Sequence, residues 1–300
     1  MSMDSEDFKV LPGKKTSLKD FDPAWVPKWA KKKEDDEGKK AVKEQALAIL
    51  EANTRKLIEL QELFWASNTY SIMIILQGID AAGKDSAIKH VLSGVNPQGC
   101  QVTAFKEPSE EELNHDFLWR NVKALPERGI IGIFNRSYYE DVLIVKVRPE
   151  VLEKEKLPSA DEGKQFWNQR YEDINMFERH LVRSGTVVLK FFLHVSKEEQ
   201  KQRFLERLDD PKKNWKFSAT DLSERSKWDD YMDAYEEMVN ETSTEWAPWY
   251  IIPADKKWVT HASISEILVS QIEKLDLKYP VLSKEQKEAL DKAKADLEKE

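Results

Sequence analysis

The chain has 300 residues, 40% apolar and 34% charged, with a mean hydropathy of −0.64 and a net charge of −8. This is enough apolar content for one large α/β domain with a full core, and no apolar run approaches the ~20 residues that cross a bilayer. The acidic balance argues against general nucleic-acid binding, which needs a broad basic surface, so positive charge for a polyanionic substrate has to be local. A single cysteine, Cys100, fits a reducing compartment. The first residues lack the basic and apolar regions of a signal peptide, so the cytoplasm is the expected location. His90, His115, His180, His194 and His261 lack zinc-ligand spacing.

In chain order, residues 1–40 mix Lys, Asp and Pro and read as an extended arm or mobile lead-in, with Lys31 to Lys40 almost wholly charged. Between 41 and 66, Ala46, Ile49, Leu50, Leu57, Leu60 and Phe64 follow helical spacing. The apolar run 71–77 predicts the first core strand. A helix is expected from 84 to about 94, ending near Gly94 with Pro97 beyond it, and a strand at about 100–105. Ser109 with Glu110, Glu111 and Glu112 has the character of a helix cap and predicts a helix reaching Ala124.

Residues 129–134 read as a short buried strand, and 163–183 as a helix carrying Phe166, Arg170, Ile174, Phe177 and Leu181. Thr186 to Val195 is the strongest strand signal in the sequence. Helices at 196–209 and 223–241, a strand around 249–252 and a helix from about 259 to 276 complete the alternation. Trp119, Trp167 and Trp228 sit at helical positions suited to core packing. The Lys/Glu-rich stretch 283–300 reads as a solvated helix, with Leu290 and Leu297 as its candidate subunit contact. Alternating strands and helices predict a parallel sheet covered on both faces, with ligands outside the carboxyl ends of the strands.

The most informative residues follow the first strand: Gly78, Ile79, Asp80, Ala81, Ala82, Gly83, Lys84 and Asp85. This G-x-x-x-x-G-K spacing between a strand and a helix lets backbone N–H groups curl around an anion, with Lys84 as a point charge. A chance match at a strand-to-helix turn is the plain alternative, and the flanking strand and helix weigh against it. Asp85 stands where such loops usually carry a Ser or Thr, and Asp80 lies inside the loop. Two carboxylates beside a phosphate would repel it unless divalent metal lies between them.

The strand 129–134 ends in Asn135 and Arg136, with Glu140 and Asp141 one turn on. Arg136 is placed to contact a transferring phosphoryl group; a loop arginine paired with Glu140 or Asp141 is the alternative. Lys106, after the 100–105 strand, reads either as a pocket-lining residue or as part of a plain turn. Arg203 and Arg207 are four apart on one helix face, before Lys212, Lys213 and Lys216. Such a basic tip suits a lid closing over phosphates, and a solvated charged helix is the bland reading.

Gly78 to Asp85, Gly94-Val-Asn-Pro97, Phe117-Leu-Trp-Arg120, Phe134 to Leu143, Arg203 to Pro211, Trp215-Lys-Phe217 and Thr242 to Pro253 occur in that order. Together they resemble the polyphosphate kinase 2 family over roughly residues 10–280. The resemblance implies a three-layer α/β/α P-loop kinase fold with a central parallel sheet and a helical lid. With the composition of its two ends, the chain is expected to divide into an arm (1–40), a kinase domain (41–280, lid about 198–230) and a charged C-terminal helix (281–300). It implies phosphoryl transfer between inorganic polyphosphate and nucleotides with Mg²⁺, Mn²⁺ being a second candidate.

Carried over residue by residue, Asp80, Lys84 and Asp85 match the family's loop residues, Asn135 and Arg136 its second acidic motif, and Arg203 and Arg207 its lid. Asn135 replaces the Asp found in much of the family. With Tyr138, Tyr139 and Glu140 it is similar to the class III subgroup, which implies AMP and ADP as acceptors. Guanine nucleotides are further candidate acceptors, and a homo-oligomer, dimer or tetramer, is the expected assembly. On this reading Asp80, Lys84, Arg136, Arg203 and Arg207 are catalytic. Gly78, Ala81, Ala82, Gly83, Lys84, Asp85, Lys106, Asn135 and Glu140 bind phosphate or nucleotide, and Asp80, Asp85 and Glu140 hold metal. Two other readings stay open on the residues alone: an ATP-dependent nucleoside monophosphate kinase of thymidylate-kinase type, and a P-loop regulatory module.

Overall fold

A computed structural model of the chain describes residues 5–28, 30, 36–155, 157–158 and 163–300. Five strands form one parallel sheet: β1 (Ser71–Gln77), β2 (Cys100–Ala104), β3 (Ile131–Asn135), β4 (Thr186–His194) and β5 (Trp249–Pro253). Their spatial order is β2-β3-β1-β4-β5. All seven residues of β1 are buried, as expected for a parallel strand covered on both faces. β2 lies at an edge and is largely exposed.

The helices are α1 (Asp36–Ser67), α2 (Lys84–Val91), α3 (Glu110–Leu113), α4 (Trp119–Val122), α5 (Glu140–Val147) and α6 (Pro149–Leu152). They continue with α7 (Lys164–Arg183), α8 (Lys197–Asp209), α9 (Ala219–Ser226), α10 (Trp228–Thr242), α11 (Lys257–Glu273) and α12 (Lys284–Leu297). The helix α11 packs on α1 and α2, while α5, α7 and α10 pack on one another with α7 against β4. Three layers result, and all five strands open at one edge through Gln77, Ala104, Asn135, His194 and Pro253. Among the described residues, no helix is long and apolar enough to cross a membrane.

Two expected helices are broken. The Ser109 capping box forms, but α3 stops after one turn. Asp116 accepts from the Leu118 N–H (3.0 Å) and so offers the backbone a competing bond before α4 begins. The 223–241 helix is two: α9 starts earlier, at a Ser218 capping box, and stops at Lys227. Ser223 and Ser226 turn their hydroxyls back onto main-chain carbonyls three residues earlier. Trp228 is buried as expected and Trp167 packs against the core, but Trp119 is half-buried and stacks on His115 at 3.8 Å.

The arm is docked rather than a free lead-in. Phe8, Val10 and Leu18 are buried, and the Val10 N–H donates to the Trp249 carbonyl beside β5 (2.9 Å). Three well-spaced apolar residues suffice for this, although polar neighbours mask them in the sequence. Residues 31–35, in the middle of the charged run, lie outside the described residues. The helix α12 is exposed throughout, with Leu290 and Leu297 open to solvent.

Candidate active site

The loop between β1 and α2 curls because glycine permits it. Gly78 and Gly83 have φ of +156° and +110°. A Cβ on Gly78 would lie 3.0 Å from both the Leu193 carbonyl oxygen and Ala82 Cβ. Ala81 also adopts a left-handed φ of +63°, a conformation costing roughly 1 kcal/mol for an L-residue. Lys84 opens α2, is buried, and donates to the carbonyls of Gly78 and Ile79. Burial, and then the Arg136 guanidinium, bring its ammonium down to about 8, against the pull of Asp80, Glu140 and Asp85.

The loop is clamped from the side by α8. Arg203, only 4% exposed, donates to the carbonyls of Ala81 (2.8 Å), Ala82 (3.0 Å), Ala254 (2.6 Å) and Asp255 (3.2 Å). Its Nε donates to Glu199 at 2.8 Å. One turn earlier, Gln200 donates to the Asp80 carbonyl (2.9 Å) and accepts from Arg225 (2.7 Å). A planar guanidinium with five donors is the side chain able to satisfy so many loop carbonyls at once.

At the end of β3, Asn135 donates to the Asp85 carboxylate at 2.7 Å. Arg136 has φ +65° and reaches Asp80 (2.6 Å) and Glu140 (2.9 Å). Glu140, then Asp80, hold its charge firmly in place. With its amide oriented to satisfy both ends, Gln77 also donates to Glu140 (2.8 Å). Behind this loop lies a sealed network. Tyr138 and Tyr139 donate to one oxygen of Glu178 (2.8 and 2.7 Å), and Lys190 donates to the other (2.7 Å), to Tyr139 Oη (3.0 Å) and to the Thr242 carbonyl (2.7 Å). Burial, with Glu178 adding to it, holds both phenols well above their usual range, so they remain donors.

These elements enclose a cleft of about 530 Å³. Lys84, Lys106, Arg136, Arg203, Arg207, Lys213, Lys216 and Lys257 line it against only Asp80, Asp85 and Glu206, so the site is basic on an acidic protein. Asp80 and Asp85 offer hard carboxylate oxygens to the cleft, which fits Mg²⁺, an ion held by one or two carboxylates with substrate phosphates completing its shell. Among the described residues, no three His, Cys, Asp or Glu side chains converge to cage an ion by themselves.

A second cavity of about 590 Å³ adjoins the cleft and shares Phe105, Lys106 and Arg136 with it. Phe117, Leu113, Ile144 and Val145 give it apolar walls, and Glu140, Asp141 and Arg120 add polar groups. Asp141 is buried, and burial lifts its carboxyl to about 7 despite Arg170.

The loop residues, Lys106, Asn135 and Arg136 thus meet at one edge as the sequence predicted. Two expectations change. Arg203 does not reach out from a lid but fastens the loop, because its neighbours are main-chain carbonyls. Glu140 lines the second cavity, bonded to Arg136 and Gln77, and is not among the residues lining the cleft with Asp80 and Asp85. Sequence reasoning missed Gln200, Lys257 and the Glu178–Lys190 pair, although a lysine inside the apolar run of β4 was a signal for the last.

Residues 39–280 match the family model described as Polyphosphate kinase 2 (PPK2). The chain is 48% identical over 281 residues to the ADP-polyphosphate phosphotransferase of Rhodopseudomonas palustris, covering 93% of each chain. It is 45% identical over 273 residues to the AMP/ADP-polyphosphate phosphotransferase of Meiothermus ruber, covering 91% of this chain and 94% of the relative. The crystal structure of polyphosphate kinase 2 from Arthrobacter aurescens TC1 superposes with a TM-score of 0.81 at 39% identity over 95% of both chains. Sequence along most of its length and fold over nearly all of it agree, and the chain belongs to the polyphosphate kinase 2 family.

Proposed function

We propose that this enzyme transfers phosphoryl groups from inorganic polyphosphate to nucleoside mono- and diphosphates, carrying AMP to ADP and ADP to ATP, with Mg²⁺. The observation carrying the proposal is the pair of joined cavities. The basic, base-blind cleft suits a chain donor made only of phosphates, and the apolar-walled cavity suits a nucleoside. Arg136, at their border, would meet the acceptor phosphate and the transferring group together. The relatives named for ADP and for AMP/ADP support both acceptors.

The acceptor is itself a phosphate oxyanion, so no general base is needed. Its oxygen attacks the terminal phosphorus, the P–O anhydride bond breaks, and the shortened polyphosphate leaves with the electron pair. The protein's part is alignment and charge: Lys84 and the loop N–H groups orient the donor, and Arg136, fixed by Asp80 and Glu140, holds the acceptor in line. Mg²⁺ held by Asp80 and Asp85 would neutralise oxygens of the transferring group.

Nucleotide-free protein given Mg²⁺, AMP and long-chain polyphosphate, without ATP, should make ADP and then ATP, and chelation should stop it. ADP appearing only when ATP is supplied would replace this reading with the thymidylate-kinase-type one.

A further inference from the structure

We infer that Asp141 is the residue that reads the acceptor nucleoside, its carboxylate receiving an N–H or O–H donor of the nucleoside bound in the second cavity. The inference rests on the proposal that this cavity takes the acceptor. Asp141 is 7% exposed and lines the cavity with its carboxylate buried at the wall, where Oδ2 has no hydrogen-bond partner. A buried carboxyl oxygen left unpaired is costly, and most such atoms in folded proteins find a donor.

The nearest cation does not supply one. Arg170 spends its guanidinium on the Asp141 main-chain carbonyl (3.0 Å) and on Glu155, and lies over the Phe117 ring at 4.9 Å. The carboxyl group is therefore held in a wall that also carries Ile144, Val145, Glu140 and Arg120, with its strongest charged neighbour, Arg170, committed elsewhere. Burial holds this carboxyl up at about 7, so it is ionised above neutral pH, and in that form it only accepts hydrogen bonds. Among the parts of AMP, phosphates offer it no donor and would repel it. The donors are the exocyclic amine of the base and the ribose hydroxyls. Asp141 would thus reject inorganic phosphate chains from the acceptor cavity while admitting nucleotides.

The test is direct binding, by calorimetry without any phosphoryl donor, so it stands apart from the identity of that donor. Wild-type protein is titrated with AMP, with purine riboside 5′-monophosphate, which lacks the amine, and with 2′-deoxy- and 3′-deoxy-AMP. The analogue missing the donor that Asp141 reads should bind roughly 10- to 100-fold more weakly than AMP, which identifies the base or the ribose as the partner. Asp141→Leu should bind AMP at that weaker affinity and no longer distinguish it from that analogue, while melting no lower than wild type because the unpaired oxygen is gone. AMP affinity within about two-fold of wild type in Asp141→Leu, whatever its melting temperature, would overturn the inference. So would wild-type affinities for all four ligands within about two-fold of one another. That second result needs no variant, so a leucine chain that fails to fold leaves the test intact.

Discussion

Arg203 and Arg207 stand one turn apart on the same helix and line the same cleft, yet the structure gives them different work. Arg203, at the root of α8, is buried and spends its donors on carbonyls of the phosphate loop and of the turn after β5. Arg207, at the tip, keeps 22% of its side chain exposed, lies over the Phe204 ring at 5.4 Å, and makes a 3.6 Å ion pair with Asp221 and a 3.4 Å contact with the Lys216 carbonyl. Helical spacing brings both to one side but does not decide which reaches main chain and which reaches the mouth of the site. The root builds the cradle; the tip, with Lys213 and Lys216, supplies charge that can follow the substrate.

The largest effect should come from the cradle itself. Lys84→Ala should lower kcat by well over ~100-fold while the fold survives, since the lysine acts on transition-state charge. Turnover within a few-fold of wild type, with an unchanged melting temperature, would break the assignment of the loop.

Arg203→Ala should lower stability and turnover together, by about 3 kcal/mol for the first, because several carbonyls lose their donor at once. Arg203→Lys should not rescue it, as one ammonium cannot copy the planar fork. Calorimetric melting alongside kcat checks both statements, and a variant that melts like wild type would erase the distinction between root and tip.

Arg207→Ala should do the reverse: kcat down by about ten-fold, with stability within ~1 kcal/mol, because one long, partly solvated ion pair contributes little. A melting temperature that falls as far as that of Arg203→Ala would show that the tip is structural as well.

The smallest effect is on pH. Lys84 titrates near 8 in the folded protein, below its unfolded range near 10.5. Its charge is lost as pH rises through about 8, so polyphosphate affinity should weaken there. Stability should not fall for the same reason. Between about 8 and 10.5 the unfolded chain holds the proton that the folded chain has released, so this group favours folding more as pH rises. Parallel binding and melting curves from pH 7 to pH 10, roughly that window, separate the two signs.

Much of this was legible in the chain. The strands were marked by apolar runs, and β1 occupies 71–77 as predicted because a strand buried on both faces must be apolar at every position. Glycines 78 and 83 announced the loop since few other residues adopt its φ angles. The breaks after α3 and at Lys227 escaped, since local side-chain bonds there outweigh a helical pattern. The docking of Phe8, Val10 and Leu18 escaped as well, because it depends on where β5 lies.

The sequence by itself determined the parallel sheet, the phosphate loop and the edge at which Lys84, Lys106, Asn135 and Arg136 gather, because periodicity and glycine chemistry are local. Only the tertiary structure decided that Arg203 clamps the loop, that Glu140 shares the Arg136 guanidinium with Asp80, and that Lys190 meets Glu178 beneath Tyr138 and Tyr139. Those assignments are contacts between residues distant in the chain or choices among competing partners. Electrostatic partnership depends on distance in space and on burial, neither of which spacing along a chain records.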